Sequence, residues 1–215
     1  MHFIRFWKPY FAAIVSVGLF FIAWDVYFAY RNVWGFNDLY LVGLRILKLP
    51  VEEWLFFLLI PFSSNFIHYS LEYFVPKFQL SMQAANIITA IFLLVGVAIA
   101  TTNLDKTYTV VNLSVFSVLM LLQLIFKWPY IRRFYISFAI IYIPFFFVNS
   151  ALTGSYSESP VVYYDPNEIL GIRVGTMPLE DSFYCFSMLY GSVLVFEYLR
   201  RKWQYCLAIR VKDCA

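Results

Sequence analysis

Charge is scarce in this sequence of 215 residues. Asp, Glu, Lys and Arg make up 13% of the chain and hydrophobic residues 62%, whereas soluble domains typically contain roughly 25% charged residues. So little charge cannot cover a water-exposed surface, which argues against a soluble enzyme. The net charge of +3, without a basic patch, likewise argues against nucleic-acid binding. A polytopic membrane protein is the class that remains.

The usual cofactor and metal motifs are also missing. The sequence has no Gly-x-Gly-x-x-Gly, P-loop or nucleophile elbow, and its 2 histidines and 3 cysteines form no metal or redox spacing. Redox chemistry, phosphoryl transfer and di-iron chemistry therefore have no support, and we expect neither a cofactor nor a metal.

Six stretches with few charges are long enough to cross a bilayer, which takes about 20 mostly apolar residues. They predict an all-α fold, a polytopic bundle of about six transmembrane helices. The predicted helices cover residues 9–30, 51–74, 84–102, 108–126, 133–150 and 180–199. The side that holds both termini carries 11 of the 16 Lys and Arg residues. The positive-inside rule therefore places both termini in the cytoplasm of a multi-pass protein of the cell (cytoplasmic) membrane.

An internal repeat relates two segments of the chain. Residues 42–57 read VGLRILKLPVEEWLFF and residues 170–185 read LGIRVGTMPLEDSFYC, at an offset of 128. The matched polar and special residues are Gly43 and Gly171, Arg45 and Arg173, Pro50 and Pro178, Glu52 and Glu180, and Glu53 and Asp181. Upstream, the first helix ends near Trp24-Asp25 where the fifth ends near Val148-Asn149.

The repeat predicts the domain organisation. Both copies of the motif open a helix on the same side of the membrane, so the copies are parallel. We expect a first half over 1–104, with helices one to three and the PVEE motif. The second half, 105–215, has helices four to six, the PLED motif and a basic cytoplasmic tail. Helices one, two, five and six should form a symmetric core, with helices three and four serving for packing and connection.

Each Pro-x-acid-acid motif places two carboxyls in the first turn of a helix. The helix dipole favours their ionised form there, whereas burial favours the neutral form. These opposing effects can bring the pKa of one carboxyl close to neutral, as a general acid requires. Adjacent helical residues point about 100° apart, so one acid of each pair faces a shared cavity while the other supports it or meets Arg45 or Arg173. The alternative interpretation is a set of helix-start acids at the membrane interface, held by loop arginines.

With these motifs the sequence resembles the membrane-integral lycopene cyclase family, of heterodimeric and fungal type, in a form with both halves fused. The matching residues are Trp24-Asp25, Gly35 and Leu49-Pro50-Val51-Glu52-Glu53, then Asn149, Leu152-Thr153-Gly154, Gly171-x-Arg173 and Met177-Pro178-Leu179-Glu180-Asp181. The resemblance implies carotenoid biosynthesis by a lycopene β-cyclase, an isomerase of the intramolecular lyase type. Such an enzyme converts the linear ψ-end groups of lycopene to β-ionone rings, through γ-carotene to β-carotene, by redox-neutral acid–base cyclisation through a carbocation.

The resemblance and the repeat together select the candidate site residues. The candidate catalytic carboxyls are Glu52 and Glu180 as the principal pair, with Glu53, Asp181 and Asp25 as partners or base. The candidate supporting residues are Arg45, Arg173, Asn149, Pro50 and Pro178. The sequence leaves open which carboxyl is the acid and which the base.

The expected partner is lycopene or a related carotenoid from the lipid phase, with membrane lipid around the protein and no nucleic acid. Formation of a homo-oligomer and association with other carotenoid enzymes both stay open. One alternative function is a cyclase that makes ε-rings or C50 products. Another is a small proton-coupled transporter that uses the acids as an ion site. Transport predicts a polar cytoplasmic half of the core helices, whereas helix six is mostly apolar there despite Ser187 and Ser192.

Overall fold

Six membrane-length helices dominate the structure. A computed structural model describes the backbone of residues 6–212 and the side chains of residues 6–205. In chain order the elements are α1 (Trp7–Arg31), β1 (Trp34–Phe36), a 3-10 turn (Asp38–Tyr40), β2 (Arg45–Ile46), β3 (Leu49–Pro50), α2 (Val51–Phe74), α3 (Met82–Thr102), α4 (Thr107–Phe126), α5 (Ile131–Leu152), β4 (Val162–Tyr164), β5 (Arg173–Val174), β6 (Met177–Pro178) and α6 (Glu180–Lys212). Each helix is long and apolar enough to span a membrane, which confirms the predicted all-α, multi-pass fold.

The helix boundaries follow the charge spacing closely. Eleven of the twelve predicted ends lie within two residues of the observed ones. The exception is the end of α6, which continues to Lys212 although the prediction ended at 199. Residues 200–212 contain neither Gly nor Pro, so nothing local stops the helix.

α6 is the central helix of the bundle. In its membrane span 61% of residues are buried, against 22–44% in the other five. It packs mainly against α1 and α4 and also contacts α2 and α5, while α3 lies against α4. α3 and α4 approach closely at Gly96, where an added Cβ would lie 2.6 Å from Ser117 Oγ. Small residues allow such close packing in membranes.

The two loops on the motif side of the bundle repeat the same fold. β2 and β3 form one short hairpin with Arg45 opposite Pro50, and β5 and β6 form the other with Arg173 opposite Pro178. A third antiparallel pair, β1 with β4, joins the two loops and places Trp34 opposite Tyr164. The internal repeat is thus visible as equivalent hairpins in front of α2 and α6.

Candidate active site

Each hairpin is tied to the start of its helix by equivalent backbone hydrogen bonds. Val51 N donates to Leu44 O at 2.9 Å, and Leu179 N donates to Ile172 O at the same distance. Pro50, the N-cap of α2, and Pro178 have no N–H, so the next residue supplies the donor. The two predicted supporting prolines therefore end a hairpin strand and lead into a helix.

The first acid of each motif binds the backbone of its own loop. Glu52 Oε1 accepts a hydrogen bond from Val42 N at 2.8 Å. Glu180 Oε1 accepts one from Leu170 N, the equivalent residue, at 2.6 Å. Glu180 is fully buried and also accepts from Thr109 Oγ1 of α4 at 2.7 Å. These contacts fasten both loops to their helices.

The motif arginines also bind their own loops. Arg45 Nη1 donates to Lys48 O at 2.9 Å, and Arg173 Nη1 donates to Thr176 O, the equivalent carbonyl. Arg45 Nη2 further pairs with Asp38 Oδ1 at 2.5 Å. Both guanidinium groups are thus engaged with the hairpin turns, and neither lines the cavity described next.

The second acid of each motif meets Asp25 in a cavity between the helices. Glu53, Asp181 and Asp25 all line this cavity, whose volume is about 50 Å³. The other lining residues are Trp34, Phe36, Phe56, Tyr108, Phe145, Asn149, Leu152, Val162, Tyr164, Tyr184 and Met188. Three carboxyls from three helices therefore share one mostly aromatic enclosure, which we call the carboxyl cavity.

Asp181 is the most completely hydrogen-bonded of the three carboxyls. Its Oδ1 accepts from Tyr108 Oη at 2.5 Å, and its Oδ2 accepts from Asn149 Nδ2 at 2.7 Å and from Tyr164 Oη at 2.9 Å. Burial, and then the nearby Asp181 carboxyl, raise the pKa of Tyr164 well above its usual value. Tyr164 therefore keeps its proton and remains a donor at neutral pH.

Asp25 has a different partner. It is 1% exposed, and its Oδ1 accepts from Tyr184 Oη at 3.0 Å. Trp24 Nε1 donates in turn to Tyr184 Oη at 3.3 Å, so the Trp24-Asp25 pair is joined through one tyrosine of α6.

The Glu53 carboxyl differs from both aspartates in its hydrogen bonding. Among the described residues, no group is hydrogen-bonded to its carboxyl, although it lies at the cavity and is only partly exposed. None of the described cavity residues is Lys or Arg. Within the same part of the chain, no cluster of three His, Cys, Asp or Glu side chains could hold a metal ion.

Several groups around these carboxyls had no role in the sequence prediction. Of these groups, only Tyr184 belongs to the sequence repeat, in which it aligns with Phe56. Tyr108 and Thr109 come from α4, a helix expected to serve for packing and connection, so that expectation was too narrow. Tyr164, which donates to Asp181, lies on β4, and β4 pairs with β1 across the two loops.

Comparisons with known proteins identify one family. A family model described as lycopene cyclase matches residues 1–74 and 105–199, two segments that together cover more than half of the chain. A search of curated proteins found no match, and neither did a search of solved structures.

Proposed function

Because the chain belongs to the lycopene cyclase family, which makes it a membrane-embedded carotenoid cyclase, we propose that it closes β-ionone rings on the linear end groups of lycopene. The observation that supports this most directly is the carboxyl cavity, with Asp25, Glu53 and Asp181 among aromatic side chains. Cyclisation of a hydrocarbon end group needs a proton donor, a proton acceptor and shielding from water, and this cavity has groups suited to each task.

Glu53 is the proposed proton donor. Its carboxyl lines the cavity, and none of the described residues donates a hydrogen bond to it. The O–H of the protonated carboxyl can therefore be directed at a substrate. Protonation at C2 of the ψ-end group leaves a cation at C1. Bond formation between C1 and C6 then closes the six-membered ring and moves the cation to C5.

Asp181 is the proposed carboxylate and base. Three donors converge on its two oxygens, an arrangement that fits an acceptor-only, ionised carboxyl. Loss of the C6 proton to Asp181 gives the β-ring, whereas loss of a C4 proton would give the ε-ring. One proton is supplied and one removed, so the reaction is an isomerisation without net redox change.

The aromatic walls are suited to the cationic intermediate. The faces of Trp34, Phe36, Phe56 and Tyr184 present negative quadrupole charge, which attracts cations. The buried Asp25, held by Tyr184, adds a further acceptor near the reacting end group. Glu52, Glu180, Arg45 and Arg173 act on this site indirectly. They hold the hairpins that precede α2 and α6, the helices that carry Glu53 and Asp181.

The membrane orientation follows from the distribution of basic residues. We propose that both termini face the cytoplasm of the cell membrane, because the basic residues concentrate on that side of the bundle. The carboxyl cavity then lies near the opposite surface, where α2 and α6 begin, and its substrate reaches it from the lipid phase.

Expression in lycopene-accumulating bacteria tests the proposal. The wild-type chain should yield γ-carotene and β-carotene. Glu53→Gln should leave lycopene unchanged, while Glu72→Gln, a matched change at the other end of α2, should behave as wild type. Unchanged lycopene with wild-type protein present in membranes would contradict the proposal, and ε-ring products would replace its β-type assignment.

A further inference from the structure

A second, larger cavity lies on the bundle surface between α1 and α4, with α6 as its floor. Its volume is about 330 Å³ and its lining is almost entirely apolar. α1 contributes Ser16, Val17, Phe20 and Phe21, α4 contributes Val115, Val118, Leu119 and Leu122, and α6 contributes Ser187, Gly191 and Val195. We call this surface the α1–α4 groove.

The floor of the groove continues the face of α6 that carries the carboxyl. Asp181, Tyr184, Met188, Gly191 and Val195 follow one another at spacings of three and four residues, which places them on one side of a helix. The first three line the carboxyl cavity and the last two line the groove. At 1.5 Å per residue, this stripe is about 21 Å long.

α1 shows the same continuity. Asp25, Phe21 and Val17 are spaced four residues apart, so they share one face of α1. Asp25 lines the carboxyl cavity, whereas Phe21 and Val17 line the groove. Both helices therefore lead from a carboxyl directly into the groove.

A single layer of aromatic rings separates the two cavities. The Phe21 ring lies 5.0 Å from the Tyr184 ring and 4.6 Å from the Trp24 ring, centroid to centroid. Phe21 lines the groove and Tyr184 lines the carboxyl cavity, so this pair of rings forms the boundary between the two.

We propose that the α1–α4 groove binds the linear polyene chain of a carotenoid whose end group occupies the carboxyl cavity. This inference rests on the proposed function. The carboxyl cavity alone, at about 50 Å³, is far smaller than the ~300–1,000 Å³ usual for ligand sites. An extended, rigid hydrocarbon needs an apolar channel in line with the reacting end, and the shared stripes on α1 and α6 provide that alignment.

Variants that fill the groove test the proposal. At Gly191 an added Cβ meets only Val17 Cγ1, at 3.8 Å, so Gly191→Phe directs a ring into the groove. Ser16→Phe does the same from an exposed position of α1 and should not disturb folding. Val15→Phe is the matched control, since Val15 is exposed on α1 but does not line the groove.

The measurement compares two substrates in nanodiscs: lycopene, and a truncated polyene with the same acyclic end group. For Ser16→Phe and Gly191→Phe, kcat/KM for lycopene should fall at least about tenfold, while turnover of the truncated substrate and both activities of Val15→Phe stay at wild-type level.

Equal losses on both substrates, or wild-type kinetics with lycopene, would overturn the groove assignment. Loss of co-purifying phospholipid with unchanged lycopene kinetics would also overturn it, and would assign the groove to a lipid acyl chain. A wild-type protein that converts neither substrate would instead contradict the proposed function.

Discussion

Glu53 and Asp181 occupy equivalent positions in the two repeats and line the same cavity, yet their hydrogen bonding differs. Asp181 accepts from Tyr108, Asn149 and Tyr164, whereas no described residue is hydrogen-bonded to the Glu53 carboxyl. The two parallel repeats thus contribute unlike carboxyls to one site. This difference supports separate roles in proton transfer.

Replacing the Asp181 carboxylate should abolish most of the activity. General acid–base groups typically contribute about 10²–10⁴-fold, so Asp181→Asn should lower kcat by that order while the protein still inserts into membranes. Ring formation measured in nanodiscs checks this. Asp105→Asn, an exposed change near the start of α4, serves as control; comparable losses in both variants would count against a specific role for Asp181.

Tyr184 should act through Asp25. Tyr184→Phe keeps the ring that packs on Phe21 but removes the donor to Asp25 Oδ1. A hydrogen bond contributes about 0.5–1.5 kcal/mol, and loss of that amount from the transition state would lower kcat by about 2- to 13-fold. Steady-state kinetics test this prediction, with Tyr198→Phe, a change at an exposed tyrosine, as the control. An unchanged kcat in Tyr184→Phe would show that the hydrogen bond to Asp25 does not affect the rate-limiting step.

Glu180 should matter more for folding than for turnover. Glu180→Gln weakens the acceptor for Leu170 N and Thr109 Oγ1 in a fully buried position, which should cost about 1–3 kcal/mol of unfolding free energy. Thermal unfolding in detergent and activity per folded molecule separate the two effects. A variant with wild-type stability and no turnover would place Glu180 in the chemistry instead.

The glycines of the Gly-x-Arg motifs are required by backbone conformation. Gly43 and Gly171 have φ of +89° and +76°, and an added Cβ would meet nothing within 4 Å at either position. The cost of a side chain is therefore backbone strain, about 1–2 kcal/mol. Gly171→Val should lower the unfolding temperature, and Gly171→Asn should lower it less because Asn tolerates this conformation. Equal losses would point to a steric cause.

Tyr164 gives a pH-dependent prediction. Its pKa in the folded protein lies well above the ordinary value of 10.0, so the folded state holds the phenol proton more tightly than the unfolded state does. This contribution to stability is complete below pH 10 and is lost as the pH rises further. Between pH 8 and 11.5, wild type should lose more stability than Tyr164→Phe; parallel melting curves would contradict the assigned burial.

Local features of the sequence determined the helices, the loops and the family. Runs without charge located the six spans, and the repeated Gly, Arg, Pro and Glu positions predicted equivalent loops before α2 and α6, which the structure shows to be hairpins. These features can be predicted from the sequence because membrane insertion depends on local hydropathy, and turns depend on local backbone preferences. The one helix end that was predicted wrongly is that of α6, which continues to Lys212 and not only to residue 199.

The tertiary structure decided which acid of each pair faces the carboxyl cavity. Sequence reasoning favoured Glu52 and Glu180 as principal carboxyls, whereas the structure directs both to loop amides and brings Glu53 and Asp181 to Asp25. The contributions of Tyr108 and Tyr164 also emerged only there. The physical reason is that the rotation of a helix about its axis, and the pairing of two distant loops, are set by packing among segments far apart in the chain, which local sequence does not encode.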